Sequence, residues 1–225
     1  MPHVDKKAGY MPSDLAGIAN LAVSNMALVV SSESPYKTLD DLVAAAKKKP
    51  GDITFASVGI GTTSHIPVEL FSQAAGIKLM MIPYKGIANA VPDVIAGRVE
   101  LMIGTEASVG TLIESGKMRA LAMTSDTRSK NLPDVPTFTE LGYPEVKYQL
   151  FLALIAPAGT PPAIIKTLSD AAEAVKHNPE FQSRLGNYGQ ELPAQDSLEK
   201  FQDFLINEEA RMREVVEKAN IKIED

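Results

Sequence analysis

Two glycines, four hydroxyl side chains and a histidine fall between Ser57 and His65 in the stretch FASVGIGTTSHIPVELF, residues 55–71. Gly59 and Gly61 free the backbone for tight or left-handed turns and clear side chains from the approach path. Several N–H groups can then converge on one anion. Ser57 ends the preceding strand pattern, and Thr62, Thr63 and Ser64 add hydroxyl donors at a helix start, where the helix dipole favours negative charge. Pro67 has no N–H, so the helical ladder begins around it and the amides before it stay free. The chemistry such residues can do is anion capture, although the same residues also make an ordinary helix cap on a glycine turn. It is not a phosphate P-loop, because the G-x-x-x-x-G-K-[ST] spacing is absent. A second group is PYKG, Pro83 to Gly86. There Tyr84 offers a hydroxyl donor and Lys85 a positive charge on a turn fixed by Pro83 and Gly86; a surface turn with a solvated lysine is the plainer alternative. A third, Gly104-Thr105-Glu106, again joins a small residue to a hydroxyl.

Bond-making constellations are missing from this pattern. His3, His65 and His177 have no metal-ligand spacing, no G-x-S-x-G elbow occurs, and the chain has no cysteine. No catalytic residue, metal or cofactor is expected, and His65 reads as an orienting or packing residue. Acidic residues such as Asp40, Asp41, Glu208 and Glu209 fall on helix faces, where solvation accounts for them.

The elements that must position these groups alternate between short β-branched runs and helical patterns. MALVVSS (26–32), ITFAS, IKLMMIPY, RVELMIG and MRALAMTS read as strands. TLDDLVAAAKKKPG, capped by Thr38, Ser64 to Ala75, IANAVPDVIAG interrupted by Pro92, and SVGTLIESG read as helices. This alternation predicts a parallel, doubly wound α/β sheet with the three candidate groups in loops at strand carboxyl ends, where such sheets bind ligands. VKYQLFLALIAP follows as a long apolar strand. The last third holds helical segments at Pro161 to Lys176, Pro179 to Leu185 and Ser197 to Ala219, with no strong strand among them.

With 225 residues, 45% of them hydrophobic, the chain can bury a core as one large or two small domains. A net charge of −6 and no basic run longer than Lys47 to Lys49 argue against nucleic acid and anionic membrane as partners. No apolar run is long enough to span a bilayer, and residues 1–17 show no apolar core or cleavage site of a signal peptide.

In order along the chain, ASVGIGTTSH, IPYKG, IAGRVELMI, SGKMRALAMTSDTRSKNLPDVPTFTELGYP and APAGTPP resemble the Bug or TctC family, the solute-binding proteins of tripartite tricarboxylate transporters. The resemblance runs from about Tyr10 onward. It implies a two-lobed periplasmic-binding-protein fold of the Venus-flytrap type II, periplasmic residence, and capture of a small organic carboxylate in an interlobe cleft for delivery to the transporter's membrane subunits. By the same resemblance Ser57, Gly59, Thr62 and Thr63 would contact the ligand carboxylate, with Tyr84, Lys85 and Gly86 lining the cleft. Gly61 and Thr105 complete the candidate ligand-binding set on the residue reading alone.

Two departures from the family pattern carry expectations. Many relatives have an aspartate where this chain has Gly104, which disfavours amino acids as ligands. Relatives also begin with a signal peptide and an N-terminal α/β unit, so the resemblance implies an N-terminally truncated first lobe. That gives residues 26–148 as a complete second lobe and residues 1–25 and 149–225 as an incomplete first lobe. Apolar faces at Ile164, Ile165 and Leu168, and at Phe201, Phe204, Leu205 and Met212, would then lose cover, leaving that remnant mobile, rearranged or covered by another chain. Two readings from other classes stay open: a small α/β enzyme acting on a carboxylate or phosphate, and an orphan binding protein feeding a sensor.

Overall fold

The computed structural model describes residues 9–218 and residue 221. His3 and Ala219, both named in the sequence reading, lie outside the described residues. The chain divides into two compact units. One gathers the described residues up to Ser24 with those from Phe151 onward, and the other is Asn25–Leu150.

In the Asn25–Leu150 unit, a five-stranded sheet has the order β4-β3-β5-β2-β6. Its strands are β2 (Met26–Ser31), β3 (Thr54–Ser57), β4 (Met80–Pro83), β5 (Leu101–Thr105) and β6 (Met118–Met123). The sheet is mixed, not all-parallel as the alternating pattern predicted. β3 runs parallel to β4 and β5, whereas β2 is antiparallel to both of its neighbours. Nothing in a strand's own residues records its direction. What MALVVS does record is its place: all six residues are buried, the mark of an interior strand covered on both faces.

Four helices cover this sheet: α1 (Leu39–Lys48), α2 (Ile66–Ala75), α3 (Ile87–Ile95) and α4 (Glu106–Glu114). Helix α1 starts at a full capping box. The Thr38 hydroxyl accepts from the Asp41 N–H at 3.1 Å, and the Thr38 N–H donates to Asp41 Oδ2 at 2.9 Å. Hydrogen bonding to the carboxyl from the Thr38 side chain, and then from the Thr38 and Lys37 N–H groups, holds the exposed Asp41 below its ordinary range. Helix α2 ends on Gly76 in the left-handed region, φ +61°, which a residue with a Cβ rarely adopts. Pro92 does not interrupt α3 as expected. It sits inside a continuous helix, Ile87–Ile95, where it removes one ladder hydrogen bond and crowds the carbonyl four residues before it.

Gly104 sets how closely α4 approaches β5. A Cβ at that position would stand 2.8 Å from Val109 Cγ1 and 2.9 Å from Ser108 Oγ, both in the first turn of α4. Gly104→Ala is therefore expected to destabilise this unit by about 1–3 kcal/mol, the usual cost of overpacking. Urea denaturation would check it, and a midpoint equal to the wild type's would show that α4 shifts freely.

The other unit has a three-stranded sheet, order β7-β1-β8. β1 (Leu15–Ser24) is its central strand, flanked by β7 (Leu150–Pro157) and the two-residue β8 (Gln190–Glu191). Helices α5 (Pro162–Lys176) and α7 (Leu198–Lys218) pack on β1, and α6 (Pro179–Asn187) is capped by Asn178, whose side chain accepts from the Glu180 N–H at 2.8 Å. Gly17 lets α7 close onto β1: a Cβ there would lie 2.5 Å from Leu205 Cδ1 and 3.1 Å from the Phe201 ring. Of the apolar faces expected to lose cover, Ile164 and Leu168 are exposed, but Ile165, Phe201 and Met212 are buried. For Ile165 and Phe201 the cover is β1, a strand that the sequence reading did not find.

Candidate functional site

β3 stops at Ser57 because the next residues abandon the extended backbone: Gly59 takes φ +137° and Gly61 φ +73°, conformations that favour glycine. The turn is then held by its own hydroxyls. Ser57 Oγ, fully buried, accepts from the Gly59 N–H at 3.2 Å and lies 3.1 Å from the Gly59 carbonyl, to which it can donate. Thr62 Oγ1 donates to the same carbonyl at 2.7 Å, and Ser64 Oγ accepts from the Val58 N–H at 3.0 Å. The three hydroxyls of Ser57, Thr62 and Ser64 also stand 3.1–3.4 Å from one another.

Four amides of the turn remain. Among the described residues the backbone N–H groups of Ile60, Thr62, Thr63 and Ser64 take no hydrogen bond, and neither does the Thr63 hydroxyl. Of these residues Ile60 is exposed, Thr62 and Thr63 are half-buried and Ser64 is buried; unpaired amides at the entrance to a helix suit an anion, since the helix dipole adds favourable potential there.

Behind the turn, His65 is the N-cap residue of α2. Its ring is buried, 6.0 Å from the Phe55 ring. Nδ1 accepts from the Gly61 N–H at 3.5 Å, and Nε2 lies 3.6 Å from Glu69 Oε1. Burial disfavours the charged form of each, lowering the His65 pKa and raising that of Glu69.

The other candidate residues occupy the neighbouring strand ends. Because β4, β3 and β5 are parallel neighbours, their carboxyl ends share one edge of the sheet. The Tyr84 N–H donates to the Ser57 carbonyl at 2.8 Å, which ties PYKG to the turn. Tyr84's hydroxyl, expected as a ligand donor, instead donates to Asp93 Oδ2 on α3 at 2.7 Å, and Asp93 in turn pairs with Arg98 at 2.8 Å. The Tyr84 hydroxyl bond is the main influence holding the Asp93 carboxyl below its ordinary range. Thr105 likewise directs its hydroxyl to Ser108 at 3.1 Å. Lys85 is exposed, and Gly86 begins α3 as its N-cap residue with extended backbone. Sequence reasoning missed Asp93 and gave Ser64 no structural role. The five residues between Val58 and Ser64 form a closed turn only once the glycine conformations are known.

Among the described residues no group of three or more His, Asp or Glu side chains could hold a metal ion. No helix among them is long and apolar enough to cross a membrane.

The chain matches the family model described as Tripartite tricarboxylate transporter family receptor (TctC) over residues 1–221. It is 32% identical over 221 residues to the UPF0065 protein in the gbd 5' region of Cupriavidus necator, a match covering 98% of this chain and 67% of that one. It is 39% identical over 156 residues to BugT of Bordetella pertussis, covering 69% of this chain and 48% of BugT. The matched region thus spans about half to two thirds of the length of these relatives. Among solved structures, the periplasmic binding protein BugD superposes with a TM-score of 0.84 at 30% identity, over 98% of this chain and 75% of BugD. R. palustris Rpa4515, solved with adipate, superposes with a TM-score of 0.84 at 29% identity, over 97% of this chain and 73% of that one. With its fold, its turn at the end of β3 and a family match that runs almost end to end, this chain is a member of the TctC/Bug family of periplasmic binding proteins.

Proposed function

We propose that this protein is a periplasmic solute-binding protein that captures a small organic carboxylate on the β3–α2 turn for delivery to the membrane subunits of a tripartite tricarboxylate transporter. The observation that carries the reading is the set of four unpaired amides, Ile60, Thr62, Thr63 and Ser64, with the free Thr63 hydroxyl beside them. Family membership and the adipate found in Rpa4515 support a carboxylate as the anion. The turn has hydrogen-bond donors for an anion and no nucleophile–base pair of the kind that activates a hydroxyl.

Incubation with a panel of small carboxylic acids, adipate among them, tests the reading. The expected result is saturable thermal stabilisation by one or more acids, each recovered unchanged by mass spectrometry. Conversion of an acid to a product would favour the small α/β enzyme instead.

Lys85 contributes as a point charge in this account. Lys85→Gln is expected to weaken binding of a carboxylate severalfold and to flatten its dependence on salt, while a neutral analogue binds as before. Calorimetry at two ionic strengths checks this. An equal loss for both ligands would assign the effect to the shape of the PYKG turn.

A further inference from the structure

His65 is absorbed by neither the anion site nor the packing of α2. Its two nitrogens are used differently, and the difference fixes the ring's protonation. Nδ1 faces a donor, the Gly61 N–H at 3.5 Å, so it must be an acceptor. With Nδ1 accepting, the proton of the neutral ring falls to Nε2, which faces the Glu69 carboxylate at 3.6 Å, beyond hydrogen-bond reach. The neutral Nε2–H tautomer satisfies the Gly61 contact, and the doubly protonated ring does not, because its Nδ1–H would meet the Gly61 N–H donor to donor.

We propose that His65 is the positioning residue of the anion cradle: its neutral Nδ1 fixes the Gly61 amide, and protonation of the ring releases that amide and weakens anion binding. The proposal rests on the reading of the β3–α2 turn as the anion site. Gly61, at φ +73°, links Ile60 to Thr62, two of the residues with unpaired amides, so its orientation sets theirs. The ring has no route to relieve the clash by swinging out, being buried with Phe55 of β3 beside it. Among the described residues Glu69 on α2 is its one ion-pairing partner; β3 presents the apolar Phe55 ring and the turn presents the Gly61 amide. Burial holds the His65 pKa below the ordinary imidazole value, which puts the transition on the acid side of neutrality. The sign of the effect is diagnostic. If a protonated His65 acted only as one more positive charge near the anion, acidification would tighten binding; through the Gly61 amide, it loosens binding.

The test has two arms on the full chain. Without ligand, imidazole 15N NMR at pH 8 is expected to show Nδ1 unprotonated and Nε2 protonated, with the Gly61 amide resonance titrating at the His65 pKa. With adipate as the probe, calorimetry from pH 8 down to about pH 5, with the titration of adipate itself subtracted, is expected to show wild-type affinity falling as the ring protonates. His65→Asn, whose Oδ1 stands near the Nδ1 position and does not titrate, should bind like the wild type at pH 8 and lose the pH dependence. His65→Gln, whose amide reaches toward Glu69 and leaves Gly61 without an acceptor, should bind about tenfold more weakly at both pH values, the worth of roughly one hydrogen bond. A protonated Nδ1 at pH 8, a Gly61 resonance indifferent to His65, affinity that rises on acidification, or equal binding by the Asn and Gln variants would each overturn the proposal. If adipate binds none of the three proteins, it is the choice of anion or the anion site that fails. The NMR arm then decides whether His65 positions the turn.

Discussion

Phe71→Ala is expected to cost about 3–5 kcal/mol, the range for truncating a fully buried phenylalanine. Phe71 lies on α2 with no solvent exposure, its ring 5.2 Å from Phe138 and 5.7 Å from Tyr143, the latter edge-on. Truncation removes the buried area, leaves a cavity and breaks two aromatic contacts, each worth about 0.5–1.5 kcal/mol beyond area. Because α2 follows directly on the turn proposed to bind the anion, the loss should reach binding as well as stability. Urea denaturation followed by circular dichroism is expected to show the midpoint for the Asn25–Leu150 unit falling steeply. A shift below about 1 kcal/mol would mean that the site collapses around the smaller side chain, and that α2 is less tightly held than its burial indicates.

The second large effect separates two hydroxyls that look alike in sequence. Ser57 Oγ is buried and engages both the N–H and the carbonyl of Gly59, so Ser57→Ala removes a support of the turn. Thr63's hydroxyl takes no hydrogen bond among the described residues, so Thr63→Ala removes only what it offers to a ligand. Both variants are expected to weaken carboxylate binding by about 1–3 kcal/mol, the worth of hydrogen bonds that end on a charged group. Only Ser57→Ala should also lower thermal stability. The discriminating measurement pairs calorimetry with a melting curve for each variant. Full affinity in Thr63→Ala would remove Thr63 from the site, and an unchanged melting temperature in Ser57→Ala would show that the turn does not depend on that hydroxyl.

How far the sequence foretold this molecule depends on whether the deciding interaction was local. The cap at Thr38, the glycine turn at Gly59 and Gly61, and the start of α2 around Pro67 are encoded within a few residues, and the reading found them; Asp41, read as a solvated helix-face residue, proved to be the other half of the capping box. The antiparallel placement of β2 depends on partners at Leu101 to Thr105 and Met118 to Met123, far along the chain, and was read wrongly as parallel. β1 escaped for another reason: LAGIANLAVS has three alanines and a glycine among its ten residues, which propensity does not mark as strand. Those small residues are there because α5 and α7 pack on the strand, as Gly17 shows against Phe201 and Leu205. Tyr84 shows the same limit at the site. Its hydroxyl could serve a ligand or a neighbour, and only the fold brings Asp93 within 2.7 Å of it.

The central claim is that the unpaired amides of the β3–α2 turn bind a small carboxylate. The most direct measurement is a titration of the 15N-labelled protein with adipate and other four- to six-carbon dicarboxylates, following backbone amides by NMR. The account predicts that a binding acid produces saturable shifts of the Ile60, Thr62, Thr63 and Ser64 amides. Saturable binding that leaves those four resonances in place and moves others would contradict it.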